Sequence, residues 1–255
     1  MLVGVKLIFK YSNYKDFLIH MNENYHVTTL RDWDGSNSII LRHDVDFDIK
    51  PAYDLAMIEN EFNVLSTFFI MTTSFTYNPM HSCNRKMLKE MSDLGFEIGL
   101  HFDPWVYGDM NDEELFNKLN MEAEILSSIT GKKVKSLSLH NPSMHGEYPL
   151  FKEYKNAYDP RIFSPEKYIS DSIMVFRHDI YEFLKKSKDS TIQVLLHPLH
   201  YSENEKIYPE IFCDFIHRFI NDIDTQFRPN STYSNCMDSD LLTYLVETRK
   251  NGVEP

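Results

Sequence analysis

Short apolar runs recur along this chain, each closed by a polar turn and followed by a stretch with helical spacing. That alternation is the sequence sign of β/α units built on a largely parallel sheet. Residues 38–41 read as one strand, followed by a helix from about 50 to 62 with Pro51 in a first turn that tolerates proline. Residues 65–71 (LSTFFIM) are too apolar for a strand with one wet face and suit the buried centre of a parallel sheet. Met87, Leu88, Met91 and Leu94 have helical spacing and meet Gly95 where a C-terminal cap belongs, ahead of a strand over 96–100. Asn111 and Glu114 form a capping-box pattern for a helix to about 129, closed by Gly131. Strands follow over 134–139 and 191–196, and helices over 209–221 and 239–249, while 148–174 has no clear period. With 255 residues and no linker, repeat or low-complexity tract, the expectation is one β/α barrel domain with its core over about 38–201.

Composition narrows the partners. A formal net charge of -12, with no basic cluster to offset it, disfavours nucleic acid and anionic lipid. The longest apolar runs fall far short of the roughly 20 residues of a membrane helix. Residues 1–9 read as a strand rather than a signal peptide, so the expected location is cytoplasmic. Cys83, Cys213 and Cys236 show no CxxC spacing and read as inert thiols.

What ends each strand carries the chemistry. Asp44 and Asp46 follow one strand (IILRHDVD), His101 another (EIGLHFD), His140 a third (SLSLHNP) and His197 a fourth (VLLHP). In parallel β/α architectures the C-terminal strand ends converge on one face, so these distant residues can share a pocket. Two carboxylates one residue apart on extended chain point the same way, an arrangement relieved by a cation. Carboxylate and neutral imidazole together suit zinc or a similar divalent ion. The plainer reading of the two aspartates is a cap for the helix near residue 50, a task that Asp48 is better placed to do.

These segments, in this order from about residue 38 to 201 and including STFFI and FEIGLH, resemble the polysaccharide deacetylases of carbohydrate esterase family 4. The resemblance implies an irregular (β/α)7-type barrel and hydrolysis of an acetyl group from an N-acetylated sugar. It implies Asp44 as general base, Asp46 and His101 as metal ligands, and His197 of the Leu195-Leu196-His197 segment as general acid. Asp171, in YISDS, resembles the aspartate that orients the acid. One departure stands out. The family's first ligand histidine has a second four positions later, and here that position is Trp105. The third ligand is then His140 or Asp103, with His140 preferred because it too ends a strand. Trp105 and Tyr201 are candidates to stack on a sugar ring and His200 to line the pocket. The expected substrate is a nucleotide- or lipid-linked precursor of polysaccharide assembly. Two alternatives stay open: hydrolysis of another C–N bond, such as a formyl or small cyclic amide, and a non-catalytic sugar-binding protein derived from the same fold.

Overall fold

The computed structural model describes residues 9–146 and 148–250, so the strand expected at the N-terminus falls, apart from Phe9, outside the described residues. The first part of the chain runs α1 (Tyr11–Asn24), β1 (Val27–Thr28), β2 (Ile39–Val45), α2 (Ile49–Glu61), β3 (Thr67–Ile70), α3 (Ser82–Asp93), β4 (Glu97–Phe102), α4 (Asp112–Thr130) and β5 (Ser136–Leu139). It continues through α5 (Pro142–His145), β6 (Lys155–Asn156), β7 (Tyr168–Ser170), α6 (Ile180–Leu184) and β8 (Ile192–Leu196). The strands lie in the order β6-β5-β4-β3-β2-β8-β7, with β1 against the start of β2, and the pairs are parallel. This curled parallel sheet flanked by helices is the irregular β/α barrel that the sequence pattern predicts.

Every residue of β2, β3, β4, β5 and β8 is buried, the apolar run of β3 and the polar residues of β2, β4, β5 and β8 alike. Alternation along β2 sends Ile39 and Leu41 to an apolar layer with α1, α6 and β8, and Ile40 to a second layer with β3, β4, α3 and α4. The strand does not stop at residue 41. Its charged end, Arg42 to Val45, stays paired with Thr67 to Ile70 of β3, so Asp44 lies within the strand and Asp46 just beyond it.

Helix ends follow their local signals. Asp48 caps α2 by accepting from Lys50 N at 3.0 Å. At the start of α4, Glu114 N donates to Asn111 Oδ1 at 3.0 Å and Asn111 N to Glu114 Oε2 at 3.2 Å. Gly131 closes that helix at a left-handed φ of 72°.

The chain divides into two compact units after residue 205, within the polar run 202–206 (SENEK). The second unit contains α7 (Tyr208–Phe227), α8 (Ser231–Cys236) and α9 (Leu241–Lys250). There Asp224 accepts from Arg228 Nε at 3.0 Å, Tyr233 Oη at 2.6 Å and Leu241 N at 3.2 Å, tying the three helices together. No described helix is long and apolar enough to cross a membrane.

Candidate active site

Parallel pairing sets the ends of β2, β4, β5 and β8 along one edge, and side chains at or just past those ends meet. Asp46, His101 and His140 each offer a ligand atom, and these atoms lie within 4.8 Å of one another. His101 Nδ1 is 3.2 Å from the Ser138 carbonyl, which can only accept, so that nitrogen carries the hydrogen. Its Nε2 then faces Asp46 Oδ1 at 3.1 Å. A lone pair aimed at a carboxylate oxygen needs a proton or a cation between them. Burial works to lower the His101 pKa, but Asp44 and Asp46 outweigh it and raise the pKa above the usual value. Burial conversely favours neutral Asp46, and His101, His197 and His140 hold it well below the ordinary carboxylate range.

His140 is oriented in the same manner. Its Nδ1 lies 3.0 Å from Asp103 Oδ2, and Asp103 is itself fixed by accepting from Trp105 N at 3.0 Å. A histidine that gives one N–H to a carbonyl or carboxylate while presenting the other nitrogen is the usual state of a metal-binding imidazole. One carboxylate and two imidazoles so arranged fit a zinc-like divalent ion. Asn141 Nδ2 lies 3.0 Å from His140 Nε2, so an ion bound at that nitrogen requires the Asn141 side chain to turn away.

Asp171, just after β7, is fully buried and accepts from His197 Nδ1 at 2.6 Å and from His197 N at 3.0 Å. The other ring nitrogen of His197, Nε2, lies 3.9 Å from Asp46 Oδ2. Burial disfavours the imidazolium. Asp171, by charge and hydrogen bond, and then Asp46 and Asp44 override that and carry the His197 pKa up to about 9.

Asp44 is 5% exposed, with Oδ2 at 3.4 Å from Arg42 Nη2, 3.3 Å from Ser138 Oγ and 3.9 Å from His101 Nε2. Its Oδ1 has no hydrogen-bond partner among the described residues. Arg42 and Ser138 were not among the sequence candidates. Each stands two positions before one, Asp44 and His140, and so shares its face of the strand. The alternation that puts residues 42 and 44, and 138 and 140, on one face was the available signal.

A cavity of about 470 Å³ contains Asp44, Asp46, His101, His140 and His197, walled by Tyr148, Tyr158, Phe163 and Tyr168. A larger one, about 600 Å³, opens around Trp33, Lys135 and Lys155 and includes none of these residues. Three sequence candidates lie elsewhere. His200 is 5% exposed, with Nδ1 3.3 Å from Asp171 Oδ2, because the turn at Pro198–His200 folds back beneath that aspartate. Tyr201 is 2% exposed and packs edge-on against Phe9 at 5.3 Å. Trp105 sits on the surface turn Pro104–Tyr107, 39% exposed, and among the described residues none of the three lines the cavity.

No family model matches the chain, and no curated protein matches it. Among solved structures it is similar to a family 4 carbohydrate esterase from Bacillus anthracis, at 20% identity and a TM-score of 0.42, covering 80% of this chain and 86% of that one. It is also similar to the catalytic domain of a peptidoglycan N-acetylglucosamine deacetylase from Eubacterium rectale, at 15% identity and a TM-score of 0.44, covering 73% and 86%. A mutant of a pseudoenzyme of the same family is similar at 18% identity and a TM-score of 0.39, covering 72% and 63%. These similar structures are family 4 carbohydrate esterases, all at low sequence identity to this chain.

Proposed function

We propose that the protein is a metal-dependent carbohydrate deacetylase. The observation that carries this reading is the pairing of the Asp46, His101 and His140 cluster with two further groups on one cavity: Asp44, and His197 backed by Asp171. A divalent ion, zinc by the chemistry of its donors, would be held by the cluster, polarise an acetamide carbonyl and lower the pKa of a nearby water. Asp44 takes a proton from that water as its oxygen bonds to the carbonyl carbon. His197, doubly protonated at neutral pH, gives its Nε2 proton to the departing nitrogen as the C–N bond breaks. The products are acetate and a free amine.

For substrate we propose an N-acetylated sugar bearing phosphate, such as a nucleotide- or lipid-linked precursor met in the cytoplasm. Support comes from Arg177, which lines the same cavity and has no ion-pair partner among the described residues. In a chain of net charge -12, a local cation is what an anionic substrate requires.

Metal analysis of protein purified without chelator tests the centre. Wild type should carry about one divalent ion, lost in Asp46→Ala, His101→Ala and His140→Ala, whereas Asp103→Ala should weaken affinity by about 10–100-fold. Negligible metal in wild type and variants alike rejects the mechanism. It leaves the non-catalytic sugar-binding alternative, consistent with Trp105 at an expected ligand position. A panel of acetylated and formylated amino sugars, neutral and phosphorylated, separates deacetylation from the other C–N hydrolysis.

A further inference from the structure

Between β7 and α6 the chain from Ser172 to Arg177 forms neither helix nor strand, and its side chains alternate. Ile173, Val175 and Arg177 line the cavity that holds the site residues, whereas Met174 and Phe176 pack against the apolar layer of α1, α6 and β8. The two aliphatic residues on the cavity side are open to solvent, Ile173 at 78% and Val175 at 48%. The backbone that presents them is strained. Met174 has a left-handed φ of 54°, uncommon for a residue other than glycine, and its N donates to the Asp171 carbonyl at 2.7 Å. A tight turn directly after Asp171 thus turns Ile173 outward, and strain of this kind concentrates where ligands are held. Single exposed aliphatic side chains are ordinary on a protein surface. Here two stand together on a cavity wall, and the stripe ends in the exposed guanidinium of Arg177. Aliphatic groups gain by shedding water against another apolar group, and they offer nothing to the polar edges of a nucleobase.

We infer that this strap is a subsite for an apolar chain joined to the substrate's phosphate. Arg177 pairs with the phosphate, and Ile173 with Val175 covers the first part of the chain, so the substrate is an amino sugar linked to a lipid phosphate rather than to a nucleotide. The inference deepens the deacetylase reading and rests on its use of this cavity for an N-acetylated sugar bearing phosphate.

The test measures binding to the full chain by calorimetry, with farnesyl phosphate below its micelle concentration as the probe, beside inorganic phosphate, farnesol and uridine monophosphate. Farnesyl phosphate should bind about 100-fold tighter than inorganic phosphate. Ile173→Ser and Val175→Ser should each weaken farnesyl phosphate by about tenfold and leave inorganic phosphate unchanged. Both side chains are exposed, so their replacement leaves the fold intact. Arg177→Gln should weaken both phosphates and spare farnesol. Met121→Ser removes a side chain 47% exposed on α4, outside the cavity wall, and should change nothing. Farnesyl phosphate that binds no tighter than uridine monophosphate, or that ignores Ile173→Ser and Val175→Ser, overturns the inference. An equal loss in Met121→Ser overturns it too, by showing non-specific adhesion. So does binding to phosphatidylcholine vesicles that Ile173→Ser abolishes, because the strap would then meet a bilayer surface rather than a single chain. None of these arms needs turnover. A metal-loaded protein that binds farnesyl phosphate as expected yet releases no acetate from any amino sugar would sink the deacetylase reading and leave the lipid-phosphate subsite standing. Acetate release from sugar phosphates with no preference for the lipid-linked form would sink the strap alone.

Discussion

Asp171 sits between two imidazoles, with His197 Nδ1 at 2.6 Å and His200 Nδ1 at 3.3 Å. Burial pushes its carboxyl up, and His197 followed by His200 more than offsets this, holding it at about 2. Its stabilising share is therefore present above the ordinary value of 3.8 and lost as pH falls through about 2. The His197 pKa is raised from 6.5 to about 9, so its share is complete below 6.5 and lost as pH rises through about 9. Asp171→Asn should consequently have a lower Tm than wild type at pH 6, and the gap should close above about pH 9. A gap as wide at pH 10 as at pH 6 would show that the pair is not the source. In activity, the alkaline limb of the variant should move toward lower pH, since its acid loses the largest of the groups that keep it charged. A bound cation would also offset Asp46 and Asp44, so the metal-loaded wild type should show that limb somewhat below about 9.

At the scale of elements, the EIG run of β4 has a steric meaning. Gly99 stands opposite Phe69 of β3, and a Cβ there would lie 2.6 Å from two atoms of that ring and 3.0 Å from Ser136 Oγ. The ring lies across bare backbone and is thereby free to pack against Arg42. Gly99→Ala should cost about 1–3 kcal/mol through displacement of Phe69. A variant with a wild-type denaturation midpoint would refute the clash. β3, beside β4, was legible because full burial writes an uninterrupted run of apolar and β-branched residues. β6 and β7 were not. At two and three residues they are too short to show any period, and their positions come from pairing with β5 and β8. The end of β2 was misplaced for a related reason: Arg42, His43 and Asp44 look like a solvated turn, yet all three are buried in a paired strand.

Across the whole first unit, the residues that close one cavity come from segments 44–46, 101, 140 and 197, and their convergence was readable because parallel strands align their ends. Positions set by packing alone were not readable, as with His200 and Tyr201, which a tight turn carries into the interior. The same limit applies where the sheet ends. β6 and β7 are its two outer strands, and the stretch between them is held by a side chain: Gln193 of β8, fully buried, donates from Nε2 to the carbonyls of Ala157 at 2.8 Å and Ile162 at 2.9 Å. Tyr158, beside the first of these carbonyls, walls the cavity and lies over Arg42, so this stitch reaches the cavity at the strand ends. Gln193→Leu keeps the volume and removes both donors, at about 1–3 kcal/mol for each carbonyl left unpaired. For a protein of this size that amounts to a Tm lower by roughly 5 °C or more. Because the loosened wall faces the cavity while the ends of β2, β4 and β5 keep their pairing, the proposed deacetylase should show a raised KM with metal content unchanged. Loss of metal together with the change in KM would mean that the stitch supports the whole strand-end cluster rather than the wall.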